Sequence, residues 1–99
     1  MALPTAGWRN AVGTQDDRCP CNAWKDHWIR NSCKTWPPTC SVENCTGTAD
    51  VGAHVEHSAV QGTWIVPMCD SCNGLDGSFN IKGGVTLIKA IPLSGCGQD

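Results

Sequence analysis

The sequence predicts a small α+β fold, and three observations support it. Eight cysteines occur in a chain of 99 residues, one short stretch carries helical apolar periodicity, and two strand-like runs lie between two close cysteine pairs. A chain of this length forms one compact unit with a high surface-to-volume ratio, so cross-links are expected to supplement its core. Cys40 and Cys45 enclose four residues, while Cys69 and Cys72 enclose Asp70 and Ser71. Two close pairs of sulfurs on separate turns supply the four tetrahedral ligands of a zinc ion, with residues 46–68 between them folded as a hairpin. Cys40, Cys45, Cys69 and Cys72 are therefore the expected ligands of one zinc.

Through Thr14 the chain has Pro4, Gly7 and Gly13 without helical periodicity, and residues 1–18 read as an irregular arm anchored by Trp8. From Asn22 to Asn31 the pattern changes: Ala23, Trp24, His27, Trp28 and Ile29 recur at intervals of three and four. This is the stripe of a short amphipathic helix, with Asn22 suited to its N-cap and Lys25, Asp26 and Arg30 facing water. The helix should stop near Ser32. Trp36-Pro37-Pro38 then carries the chain in extended form to Cys40, because a following proline disfavours helical backbone. Thr46, Gly47, Thr48 and Asp50 mark a turn, after which Val51–Val55 and Thr63–Val66 read as strands around a loop containing Gly62. Pro67 cannot donate to a ladder and suits the exit toward Cys69. Asn73 to Phe79 has the outline of a second short helix, although Gly74 and Gly77 each weaken it by about 1 kcal/mol relative to alanine. Gly83-Gly84 precede Val85 to Ile91, a further strand or a small hairpin with Asn80 to Lys82. Residues 19–93 thus form a single metal-organised domain, and 94–99 a loose tail containing Cys96.

The formal charge is -2 and the pI about 5.8, whereas domains that grip phosphate backbones usually carry a basic face. Arg9, Arg18, Lys25, Arg30 and Lys34 precede Pro38, against Lys82 and Lys89 after it, so any basic face comes from the N-terminal half. Residues 1–17 lack the charged start and apolar stretch of a secretory signal, and no apolar run reaches the roughly 20 residues needed to span a bilayer. A cytoplasmic chain with reduced thiols and no membrane association is expected.

The segment Cys40-Ser-Val-Glu-Asn-Cys45, with Val51-Gly-Ala-His-Val55 and Trp64-Ile-Val-Pro-Met-Cys-Asp-Ser-Cys-Asn73, resembles the zinc-bearing branch of HNH-type, treble-clef domains. The match covers roughly a third of the chain. The resemblance implies a zinc-stabilised treble-clef (ββα-metal-like) core with an N-terminal helix and a short C-terminal strand or hairpin. In nucleases of this family the histidine matching His54 is the general base on an attacking water, and a divalent ion stabilises the leaving oxygen. The preceding position usually holds that ion through Asp or His and is Ala53 here. The residue after the second pair, commonly histidine, is Asn73, a weak oxygen ligand. The resemblance therefore implies the structural zinc more strongly than the hydrolysis.

Cys19, Cys21, His27 and Cys33 lie outside the matched segment. Cys19 and Cys21 are separated only by Pro20 and converge on a metal more readily than on each other, since a disulfide needs restricted geometry. Cys21 at a helix start is favoured as a thiolate. With His27 and a histidine from the hairpin, His54 or His57, these residues make a second zinc site; a water in one position would leave that ion open to catalysis. The competing readings are two disulfides among Cys40, Cys45, Cys69 and Cys72, and unligated thiols at Cys19 and Cys21 beside a core histidine. Cys33 and Cys96 read as free thiols, and His57 as a surface residue. The five tryptophans either cover metal sites as core or form a stacking platform for bases or sugars.

Three functions follow from these readings. The first is a treble-clef zinc module with a structural or interaction role toward a protein or nucleic acid. The others are a metal-dependent, nuclease-like hydrolase using His54, and a secreted effector stapled by disulfides.

Overall fold

The computed structural model describes residues 3–11 and 24–90. Its frame is an antiparallel hairpin of β2 (Val51–His57) and β3 (Val60–Met68). Alternation along β2 sets two faces: Ala53 and Val55 are buried on one side, and Gly52 and His54 point to the other. Their partners in register follow, Ala53 with Val66, Val55 with Trp64, Gly52 with Pro67 and His54 with Ile65. Both faces of β3 are covered at its far end, so Ile65, Val66, Pro67, Met68 and Cys69 are buried in succession.

The turn between the strands is Ser58–Ala59, closer to β2 than the expected loop at Gly62. Its geometry is pinned by His57, whose Nδ1 accepts from the Ala59 N–H at 2.9 Å and whose Nε2 is 2.8 Å from the Ala6 carbonyl. With Nδ1 accepting, Nε2 carries the proton and donates. Gly62 instead lies in a bulge, where residues 61–63 of β3 oppose Glu56 alone, and it supplies φ +87 there.

β1 (Trp8–Asn10) lies within the segment expected to be an irregular arm. It inserts between β2 and β4 (Ser78–Phe79), while β5 (Ile88–Lys89) pairs with β3 on the far side, giving the order β4-β1-β2-β3-β5. Burial drives this insertion: Trp8 is fully buried, its indole donates to the Pro4 carbonyl at 2.8 Å, and it joins Val55, Val66, Met68, Phe79 and Ile81 in the core.

On the opposite face lies α1 (Trp24–Ser32), packed against β2, β3 and β5. Asp26 in its first turn and Arg30 in its last complement the helix dipole. Trp28 donates to the Thr86 carbonyl at 2.9 Å, and His27 Nε2 lies 2.8 Å from the Lys89 carbonyl, so the helix holds the β5 region as well. Cys33 ends the helix at φ 60 with its N–H on the Ile29 carbonyl.

These observations correct the predicted fold class. The described residues form a five-stranded antiparallel sheet with one short helix packed on it, not a treble clef opened by an N-terminal helix. α1 follows β1, and α2 (Asp70–Asn73) is a single turn. Gly74 caps α2, and the expected continuation to Phe79 is replaced by β4, which buries Phe79 against the core. Of the expected strand 85–91, the described ladder comprises Ile88–Lys89.

The approach of α1 to the sheet rests on Gly52. A Cβ there would lie 2.7–2.9 Å from the Trp24 carbonyl group and the Lys25 nitrogen, all backbone atoms. Gly52→Ala is therefore expected to lower unfolding free energy by about 1–3 kcal/mol through overpacking. Urea unfolding measures it, and an unchanged midpoint would contradict so close a helix–strand contact.

Candidate metal centre

The first pair of cysteines brackets a tight loop. A bridge between Thr39 and Thr48 closes its base, the Cys40 N–H donates to Gly47 O at 2.8 Å, and the Cys45 N–H to Val42 O at 3.0 Å. Asn44 takes the left-handed conformation, φ 69, which asparagine tolerates better than most residues. The second pair sits where β3 passes into α2. Cys69 is the N-cap of that turn, and its sulfur accepts from the Cys72 N–H at 3.4 Å. The Gly47 N–H approaches Cys45 Sγ at the same distance, 3.4 Å. Each loop thus turns a backbone N–H toward one of its own sulfurs.

Together these turns bring all four Sγ atoms within 4.8 Å of one another. Cys45 Sγ is 3.8 Å from Cys69 Sγ and 3.6 Å from Cys72 Sγ. Four sulfurs at bonds of about 2.3 Å to one ion would be separated by about 3.8 Å, the edge of a tetrahedron. Disulfide bonding requires about 2.05 Å, and all four cysteines are free thiols. Cys40, Cys69 and Cys72 are buried and Cys45 is half-buried.

Electrostatics fit a cation at the centre. The Gly47 N–H, followed by the neighbouring Cys72 thiol, lowers Cys45 to about 7. Burial raises Cys40, and burial with the adjoining sulfurs raises Cys72. Without positive charge nearby, Cys40 and Cys72 hold their protons, whereas a divalent ion makes thiolates of its sulfur ligands. The donor set matches ions that favour tetrahedral sulfur coordination. Among the described residues this is the one group of three or more His, Cys, Asp or Glu side chains gathered closely enough to hold a metal.

The other candidate residues are distributed differently. Cys19, Cys21 and Cys96 lie outside the described residues. His27 and His54 both meet the Trp24 ring edge-on, at centroid distances of 4.9 and 4.6 Å. Cys33, expected as a free thiol, is disulfide-bonded. The structure does bring His54, Ala53 and Asn73 around one cavity of about 280 Å³, lined also by Asn10, Ala11, Trp24 and Gly52. Among its described lining residues there is neither a carboxylate nor a second imidazole. The indole N–H groups of Trp8, Trp28, Trp36 and Trp64 all donate to backbone carbonyls, as packed tryptophans do.

Two supporting residues escaped the sequence reading. Asn10 of β1 donates to the Cys72 and Leu75 carbonyls, at 2.9 and 3.0 Å, and so fastens α2 to the sheet. Lys82 donates to the Cys40 and Cys45 carbonyls. Both contacts join distant parts of the chain, and nothing in the local sequence marks them. The chain matches no family model, no curated protein and no solved structure. Among the described residues no helix is long and apolar enough to cross a membrane.

The unequal burial of the sulfurs makes a testable order of reactivity. When the metal-loaded chain meets limiting iodoacetamide, Cys45 is expected to be alkylated before Cys40, Cys69 and Cys72, with metal released as it reacts. Peptide mapping by mass spectrometry reads the order, and uniform labelling of the four would contradict this exposure pattern.

Proposed function

We propose that this protein is a zinc-binding module in which one ion, held by Cys40, Cys45, Cys69 and Cys72, is structural. The observation that carries this reading is the convergence of four free sulfurs from two separate loops within 4.8 Å. Bound zinc would supply a tetrahedral cross-link between the 40–45 loop and the β3–α2 junction. Four protein ligands leave no coordination position for water or substrate, which is the arrangement of structural rather than catalytic zinc.

The energetic scale is large enough for the metal to decide whether the domain folds. Structural zinc contributes about 10–16 kcal/mol of apparent binding free energy in small units, comparable with or above the about 5–15 kcal/mol by which whole domains are stable. Elemental analysis of protein purified under reducing conditions should find zinc bound at this cluster, and Cys69→Ser should lose that zinc together with the cooperative melting transition. Full zinc content and unchanged melting in the variant would reject Cys69 as a ligand. Iron in place of zinc in the purified chain would reject the identity of the ion, since iron also accepts four thiolates.

A further inference from the structure

The four sulfurs do not account for the side chain placed behind two of them. Lys82 is partly buried, and its ammonium donates to the carbonyl oxygens of Cys40 at 2.8 Å and of Cys45 at 2.7 Å. These are the two ligand-bearing ends of one loop. The same stretch of chain holds the loop from outside: the Lys82 N–H donates to Ser41 O at 2.8 Å, the Glu43 N–H to Asn80 O at 2.8 Å, and Ile81 bridges Val42. The described ion pair is Arg9 with Glu56, and among the described residues the Lys82 ammonium has no carboxylate partner. It is a cation fixed by two charge-assisted hydrogen bonds to backbone oxygens.

Four thiolates around one divalent ion leave a net negative charge, and three of the four cysteines are buried. Burial makes such a charge costly unless a compensating group lies nearby. We propose that Lys82 is a positioning residue of the metal centre, which fixes the spacing of Cys40 and Cys45 through their carbonyls and offsets the negative charge of the loaded cluster. This inference rests on the zinc reading above. It assigns Lys82 two separable properties, hydrogen-bond donation and positive charge. Methionine lacks both, glutamine keeps only donation, and arginine keeps both.

The test compares the wild-type chain with Lys82→Met, Lys82→Gln and Lys82→Arg. Zinc affinity is measured by competition with a chromophoric chelator, and the rate of alkylation is measured on the zinc-loaded protein. Lys82→Met is expected to weaken zinc binding by about 10–100-fold, the range for groups that orient metal ligands. It should also speed alkylation, because sulfurs without the nearby cation are more nucleophilic. Lys82→Gln should speed alkylation in the same way, and Lys82→Arg should retain most of the affinity and the slow rate. Cobalt substitution should show four-thiolate charge-transfer bands in every variant that folds.

Wild-type affinity and alkylation rate in Lys82→Met would overturn the inference, as would an arginine variant that loses as much affinity as the methionine one. If Lys82→Met fails to fold at saturating zinc, the arginine and glutamine variants decide. Equal alkylation rates in those two would overturn the charge role, and a faster rate in glutamine alone would support it. A wild-type chain that binds neither zinc nor cobalt would instead defeat the zinc reading, so the two failures are distinguishable.

Discussion

The meeting of Cys40 and Cys45 with Cys69 and Cys72 is the constraint on which the rest of this structure depends. The 40–45 loop contains little apolar surface of its own, Val42 being its one buried aliphatic side chain. What fixes it against the sheet is a set of backbone hydrogen bonds, the Lys82 clamp and the four sulfurs. A domain of this size has a small interior relative to its surface, and a shared metal is one way to add cross-linking that side-chain burial cannot supply. Cys40, Cys69 and Cys72 belong to the core cluster with Trp8, Val55, Val66 and Met68, and Cys45 packs against it. The sulfur cluster and the hydrophobic packing are therefore parts of a single unit.

The β2–β3 hairpin transmits that constraint to both sides of the molecule. One of its faces carries the core and ends at the cysteine cluster, while the other receives α1 through the gap left by Gly52. Asn10 and Lys82 then reach back from β1 and from the segment before β5 to hold the two ligand loops by their carbonyl groups. The metal centre is thus supported from distant parts of the chain. This explains why strands as short as β1 and β4 matter to it.

How much of this was legible in the sequence depended on the range of each interaction. The paired cysteines are a local signal, as is the spacing of Trp24, His27 and Trp28, and both led to observed features. The hairpin was legible in kind but not in detail, because Gly62 resembles a loop residue and functions as a bulge, whereas the turn is set by His57 accepting from Ala59. β1 was hidden by Pro4 and Gly7; its strand state is imposed by burial of Trp8 and by pairing on both sides. The treble-clef expectation came from a cysteine–histidine–cysteine order that says little about strand count. Gly74, which was expected only to weaken the second helix, ends it after one turn.

X-ray absorption at the zinc edge of protein purified under reducing conditions tests the shared metal most directly. The account predicts a single shell of four sulfur scatterers at about 2.3 Å. A shell containing nitrogen or oxygen in place of any sulfur, or a disulfide at about 2.05 Å formed by Cys40, Cys45, Cys69 or Cys72, would contradict it.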